Sequence, residues 1–342
     1  MKPTAPSTKP KRSGCFWAAL IVLVLVLGLS LALNIGLLIG SAARGDGRAM
    51  QVTGRAMDEY PQFTTRWSFG RGDTVVVRIP LQGVIMREAT GGLFSPRYDP
   101  VQLTLNRIRA AENDRQVRGI ILEVDSPGGA VTPSDEIYNA LQRFRASAEG
   151  RKVIIFSRDI NASGAYYVSM AGDWLMAEPT TLVGSIGVMI QTLNWHQLSE
   201  RIGVSDTTIK SGSAKDILNP FRDVSEREMN MLQHLVDSLH ARFSSLVQQA
   251  RGVDGTHLET ITDGRIFTAP DALQAGLIDE IGYWDDVVAR TAQLFGVSSV
   301  RVLRYERRPD WSDWFASVRH TEMQIPSWLD PDRPRILYLW RP

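Results

Sequence analysis

Gly119-Ile120-Ile121-Leu122-Glu123-Val124-Asp125-Ser126-Pro127-Gly128-Gly129 is the stretch that decides the fold. Its first six residues form a short apolar run, β-branched at Ile120, Ile121 and Val124, typical of a strand buried in a sheet. The run meets Pro127, which lacks the N–H a central strand needs, and two glycines that permit positive φ and a close backbone approach. A buried strand ending in a sharp turn is expected. Before it, Val101 to Ala111 places Leu105, Ile108 and Ala111 at helical spacing; after it, Ser134 to Phe144 also reads as a helix. Lys152-Val153-Ile154-Ile155-Phe156 is a second buried strand, followed after a short loop by a small-residue helix from about Ser163. Upstream, Thr74 to Ile79, ending at Pro80, and Gly83 to Met86 read as two short strands. This alternation predicts an α/β layered fold with a largely parallel sheet.

Further along, Ser225 and Glu228 have the spacing of a capping box, with Val224 as a staple before it. The helix that starts there carries Met229, Leu232, Val236, Leu239, Phe243 and Leu246 at steps of three and four, a stripe that reads as a packing face to about Gln249. Thr268 and Pro270 open a short helix closed by Gly276, and Trp284 to Phe295 is a further amphipathic helix. After Arg308 the pattern loosens until Ile336-Leu337-Tyr338-Leu339-Trp340, an apolar pentapeptide that either adds an edge strand or frays.

The chain has 342 residues, 44% of them apolar and 22% charged, which supplies a large core and excludes a disordered or fibrous protein. A formal net charge of +1, with no basic run after the first dozen residues, argues against nucleic acid as a partner. Cys15 is the only cysteine, so an intrachain disulfide, a cysteine zinc cluster and a papain-type nucleophile are excluded. Residues 13–43 carry no charge, and Phe16 to Ile39 is dominated by Leu, Val, Ile and Ala. As a helix that span reaches roughly 36 Å, enough to cross a hydrocarbon core of about 30 Å. Lys2, Lys9, Lys11 and Arg12 precede it, whereas Arg44, Asp46 and Arg48 follow with mixed sign, so the N-terminus is expected in the cytoplasm and the remaining mass outside. A cleaved signal peptide ending near Ser41-Ala42-Ala43 is the competing reading, but its apolar region is ordinarily only about 7–15 residues long. The expected organisation is a cytoplasmic segment (1–15), a transmembrane anchor (16–39), a linker (40–72), a catalytic domain (73–300) and a C-terminal tail (301–342).

The chemistry rests on two segments. Asp125 to Gly129 alone reads as a strand-ending turn. Asn161-Ala162-Ser163-Gly164-Ala165-Tyr166-Tyr167 follows the next strand, and a serine at a helix start is ordinarily an N-cap. Here Ala162 and Gly164 leave space around the hydroxyl, and the N–H of Gly164 can point at an oxygen bound beside Ser163. Neighbouring parallel strands bring their C-terminal loops to one sheet edge, so the N–H of Gly129 is a candidate second donor. A nucleophilic serine needs a base. His234, His240, His257 and His320 occupy ordinary solvated contexts, which leaves His196 as the histidine candidate. A neutral lysine is the alternative, and Lys210-Ser211-Gly212-Ser213-Ala214-Lys215-Asp216 offers two, although a lysine is ordinarily a surface charge.

The DSPGG turn, the Ala162 to Tyr167 segment, Gly184-Ser185-Ile186-Gly187-Val188, the segment Lys210 to Asp216, and Gly264-Arg265-Ile266-Phe267-Thr268 with Gly276-Leu277-Ile278-Asp279 together resemble the signal peptide peptidase family, in order and spacing, over about residues 73–290. One catalytic domain after one apolar helix is similar to the short bacterial form. The resemblance implies a Clp protease/crotonase-type fold of stacked β-β-α units and serine endopeptidase activity without metal or cofactor. It makes Ser163 the nucleophile, Lys215 the general base and Lys210 structural, with Ser185 orienting the lysine amine and Gly129 and Gly164 donating to the oxyanion. It also implies extended peptide substrates such as signal-peptide remnants. A homo-oligomeric ring is expected too, in which serine and lysine come from different subunits. The rival readings are a Ser-His protease of the same fold using His196, a non-catalytic or acyl-CoA-binding membrane scaffold of crotonase shape, and a capsid-processing or stomatin-associated protease.

Overall fold

A computed structural model describes residues 13–43, 59–87, 99–306 and 336–339. The basic segment before the apolar run, residues 44–58 of the stretch read as linker, His320 and Trp340 lie outside the described residues. The chain divides into two units, Met1–Arg55 and Ala56–Pro342. The first contains helix α1 (Ser13–Ala43). Its side chains are described at Trp17 and from Leu20 to Asn34, and all of these are exposed. Among the described residues no helix is long and apolar enough to cross a membrane.

The second unit opens with β1 (Thr64–Phe69) and β2 (Thr74–Gln82). Then follow α2 (Pro100–Asn113), β3 (Val117–Ser126), β4 (Gly128–Ala130), α3 (Val131–Ala146), β5 (Lys152–Ala162) and α4 (Gly164–Ser169). After these come β6 (Trp174–Ala177), β7 (Leu182–Gly184), β8 (Met189–Ile190), α5 (His196–Ile202) and α6 (Glu226–Arg251). The unit ends with α7 (Gly255–Ile261), β9 (Ile266–Thr268), α8 (Ala269–Gln274), β10 (Glu280–Ile281), α9 (Trp284–Leu294), β11 (Val300–Glu306) and β12 (Ile336–Leu339).

The main sheet runs β1-β11-β2-β3-β5-β6-β10, with β7 beside the end of β5 and β9 beside β7. Every joint is parallel except β1 with β11 and β7 with β9. The expected mixed α/β fold with a parallel-rich sheet is observed. Both sheet faces are covered. Ile79, Ile120, Leu122, Val124 and Ile155 pack with Ile108, Ile137, Leu141 and Phe144 of α2 and α3. Val76, Ile121, Ile154 and Phe156 pack on the other side with Val287, Val288 and Ala292 of α9. Burial on two faces is why β3 and β5 read as unbroken apolar runs rather than alternating ones. Each such side chain contributes about 1.5–3 kcal/mol on burial.

Four elements differ from expectation. β1 lies within the stretch read as linker and pairs with β11, the start of the stretch read as tail, so exposed residues such as Trp67 still join the sheet through backbone bonds. β2 continues through Pro80 because β11 pairs with it only as far as Arg78. β5 runs without a loop to Ala162. In α6 the capping box forms as read, but of the predicted stripe only Phe243 is fully buried, Leu232, Val236, Leu239 and Leu246 are half-buried and Met229 is exposed.

Candidate active site

β3 and β5 leave the sheet at the same level, since Ser126 is the register partner of Asn161. The turn after β3 and the turn after β5 therefore stand side by side. Ser126 shapes the first: its hydroxyl donates to the Gly83 carbonyl at 2.5 Å and accepts from the Gly128 N–H at 3.2 Å. Gly128 takes φ 94°. Gly129 then runs beside Ile85, and a Cβ there would stand 2.1 Å from the Ile85 carbonyl oxygen, so only glycine fits. Ile85 N–H donates to the Gly128 carbonyl and Ala130 N–H donates to the Ile85 carbonyl, both at 2.8 Å. Backbone groups alternate sides along a strand, so the N–H and carbonyl of Gly129 face away from Ile85.

The second turn holds Ser163 at φ 54°, ψ −117°, in a residue only 1% exposed. Its N–H donates to the Gly184 carbonyl at 2.7 Å, and its carbonyl accepts the first helical bond from Tyr167 N–H at 2.8 Å. The hydroxyl makes no capping bond, although Ser163 occupies the N-cap position of α4. That is unlike an ordinary cap serine, whose side chain satisfies a free helix N–H from an extended backbone. A non-glycine residue at this φ carries about 1–3 kcal/mol of strain, so the surroundings must hold it. Below it, buried Asn161 donates to the Ser157 and Ser169 hydroxyls at 2.8 and 2.9 Å. Above it, α4 is pinned by two tyrosines. Tyr166 donates to the Leu277 carbonyl at 2.7 Å, and Tyr167 donates to Asp135 at 2.5 Å while accepting from Arg242 at 2.9 Å. Burial pushes both phenols well above their ordinary range, so they remain donors.

Ser185 follows Gly184 directly, itself at φ 50° and almost buried, with its N–H donating to the Arg265 carbonyl at 2.7 Å. Ser163, Gly164, Gly184 and Ser185 thus form one short backbone cluster. Lys215 stands apart. Its side chain is exposed, and its amine has no hydrogen bond or ion pair and no bond to Ser163 among the described residues. Lys210 has a structural partner, donating to Asp216 at 2.6 Å. Asp216 and Glu228 are both held by Arg222, and Glu228 closes the capping box of α6 with Ser225. Hydrogen bonds from Arg222, then Lys210, hold the Asp216 carboxyl down at about 2. The same guanidinium holds Glu228 well below the usual range. His196 faces Glu200 and Asp223, its Nε2 3.7 and 3.9 Å from their carboxylates, and no described histidine hydrogen-bonds Ser163.

Two charged groups flank the first turn. Burial would raise the Glu123 carboxyl, but hydrogen bonds from Arg78 and Arg158 outweigh it and hold the group ionised. Asp125 is raised by burial and by the nearby Asp159 charge. Among the described residues no cluster of His, Cys, Asp or Glu is arranged to hold a metal ion. The anchoring roles of Ser157, Ser169, Asp135 and Arg242 escape sequence reading, since they reach the site from separate elements.

The profile of peptidase family S49 matches residues 145–298, a stretch that includes Ser163, Ser185 and Lys215. A putative signal peptide peptidase SppA of Enterococcus faecium is 33% identical over 69% of this chain and 68% of its own length. A putative protease of Synechocystis is 35% identical over 63% of this chain and 75% of its own. Protease 4 of Salmonella typhi is 33% identical over 73% of this chain but only 39% of its own, much longer, sequence.

Proposed function

This chain belongs to peptidase family S49, and from that membership and the geometry at Ser163 we propose that it is a membrane-anchored endopeptidase working through a Ser163–Lys215 dyad. A serine-type peptidase activity follows from the family. The observation that carries the finer reading is the backbone of Ser163, strained, buried and not used as a helix cap. Strain of this kind persists where it aims a side chain. In the proposed reaction neutral Lys215 takes the proton of Ser163, whose oxygen attacks a peptide carbonyl. The N–H groups of Gly129 and Gly164 stabilise the resulting oxyanion. Lys215 protonates the leaving amine, and water then repeats the attack on the acyl-enzyme with Lys215 again as base.

Substrates are extended peptides, such as signal-peptide remnants, laid alongside β4. The E. faecium relative's name supports that class. The proposed anchor is the apolar run of residues 16–39, read from sequence, with the N-terminus in the cytoplasm and the catalytic domain outside; a reporter fused after Pro342 that is active only in the cytoplasm would overturn this orientation. Hydrolysis of a fluorogenic apolar peptide tests the nucleophile. Ser163→Ala is expected to fold and to lose at least about a thousandfold in rate. A folded Ser163→Ala protein that keeps most of its activity sinks the assignment.

A further inference from the structure

β4 passes directly into α3, and Asp135 lies one turn into that helix. Tyr167 lies one turn past Ser163 in α4, with its N–H on the Ser163 carbonyl at 2.8 Å. Arg242 belongs to α6, whose first turn holds the clamp of Glu228, Arg222 and Asp216. The three side chains form a closed ring of hydrogen bonds. The Tyr167 hydroxyl donates to Asp135 Oδ1 at 2.5 Å, Arg242 Nη2 donates to the same oxygen at 2.6 Å, and Arg242 Nε donates to the Tyr167 oxygen at 2.9 Å. Displacing any one of the three helices therefore breaks two bonds. The second oxygen of Asp135 accepts from Asn139 of its own helix at 3.1 Å, which fixes the plane of the carboxylate. The Tyr167 ring also packs edge-on against Tyr138 of α3 and Phe243 of α6, with centroids 5.6 and 5.2 Å away.

Global stability does not explain this ring. The side chains of Arg242 and Asp135 are 53% and 32% exposed, and an ion pair so open to water adds little to folding. Its place in the chain gives it another use. α4 has only six residues and begins at the strained Ser163, so its direction is set by what it packs on. α3 is continuous with the strand that carries Gly129. The angle between α3 and α4 thus decides where the Ser163 hydroxyl stands relative to the Gly129 N–H.

We propose that Asp135, Tyr167 and Arg242 are positioning residues, a joint that fixes α4 against α3, with α6 as backing, and so holds the Ser163 hydroxyl in register with the oxyanion donor at Gly129. The inference rests on the peptidase reading above. The three residues act through Ser163 and not on the peptide. A misplacement of about 1 Å between a nucleophile and its supporting donors costs on the order of a hundredfold in rate. That loss falls on the transition state and leaves ground-state binding of the peptide in place.

Two variants of the full chain test this by hydrolysis of a fluorogenic apolar peptide. Tyr167→Phe removes the shared hydroxyl and keeps the ring packing; Arg242→Ala removes a half-exposed partner and decides alone if Tyr167→Phe does not fold. Each is expected to lower kcat about ten- to a hundredfold with KM within about twofold. The double variant should be at most about threefold slower than the worse single one, because the ring acts as a unit. A peptide aldehyde, which forms a tetrahedral adduct on the serine, should lose affinity in step with kcat/KM. Losses confined to KM, losses that multiply in the double variant, or unchanged aldehyde affinity overturn the proposal. Amide exchange separates this outcome from failure of the peptidase reading. On the Ser163→Ala background, residues 164–169 should exchange at least about threefold faster in both variants while residues 152–156 of β5 stay unchanged, whether or not any form cleaves peptide. Equal exchange at residues 164–169 counts against the joint alone.

Discussion

At Ser163 the dihedrals φ 54°, ψ −117° are the mirror image of an ordinary extended conformation, one that glycine adopts at little cost. Ser163→Ala keeps the strain and removes the hydroxyl, whereas Ser163→Gly removes both. Both variants are expected to be inactive, with Ser163→Gly more stable than Ser163→Ala by about 1 kcal/mol once glycine's unfolded-state entropy is set against the strain relieved. In thermal unfolding this is a difference of roughly 2–4 °C; equal melting temperatures would mean that the strain is absorbed elsewhere. Gly129 makes the opposite case. A Cβ would collide with the Ile85 carbonyl at 2.1 Å, so Gly129→Ala must push β4 away from its neighbour. Activity is expected to fall at least tenfold together with about 1–3 kcal/mol of stability, read by peptide hydrolysis and denaturant unfolding. Sequence made both positions visible through their small neighbours. It could not reveal that Ser163 leaves its helix uncapped, because cap and nucleophile use the same residue at the same place, and only the backbone angles distinguish them.

Between elements, the segment that carries Lys215 is fastened at one end. Lys210, Asp216, Arg222, Glu228 and Ser225 form a continuous chain of hydrogen bonds from that loop into the first turn of α6. Asp216 has its carboxyl lowered, so its contribution is fully present above its unfolded value near 3.9 and disappears as pH falls through about 2. The clamp should therefore survive mild acid. Hydrogen exchange of residues 210–222 is expected to be the same at pH 7 and pH 5 after correction for intrinsic rates, and to accelerate at both in Asp216→Asn. Faster exchange at pH 5 in the unaltered protein would show that other groups hold the loop. The capping box was legible because its two residues are three apart in sequence. The same held for β3 and β5, whose two-sided burial is written as apolar runs. What escaped was pairing between distant segments. β1 joins β11 from a polar stretch, and the stripe of α6 reads as one packing face although only Phe243 of it is fully buried and Met229 is exposed.

On the scale of the whole molecule, the proposed site is incomplete within one chain. Ser163, Ser185 and the two glycines meet at one end of the sheet, whereas Lys215 is exposed and unpartnered on a separate excursion. That excursion also exposes Leu193, Leu198, Ile202, Val204, Ile209 and Phe221, more apolar surface than a solvated loop needs. A lysine acts as a base only when burial or neighbouring cations disfavour its charge, and Lys215 is exposed in this chain. A second copy packed on this surface would cover the apolar residues, desolvate Lys215 and bring it to a neighbour's Ser163. A head-to-tail contact of that kind gives a ring where its rotation closes. Sequence could suggest this arrangement only through family resemblance, since no pattern in one chain encodes which copy supplies which residue. Ser163→Ala and Lys215→Ala subunits, each inactive alone, are therefore expected to regain activity when dissociated and reassembled together. In an evenly mixed ring with one neighbour supplying each lysine, about a quarter of the interfaces join an intact serine to an intact lysine, so recovery near a quarter of the unaltered rate is the expected scale. If each chain completes its own dyad, every site keeps one lesion at any mixing ratio. A mixed assembly verified by mass spectrometry that stays inactive would reject the shared site and require the loop from Lys210 to Arg222 to fold back onto its own Ser163.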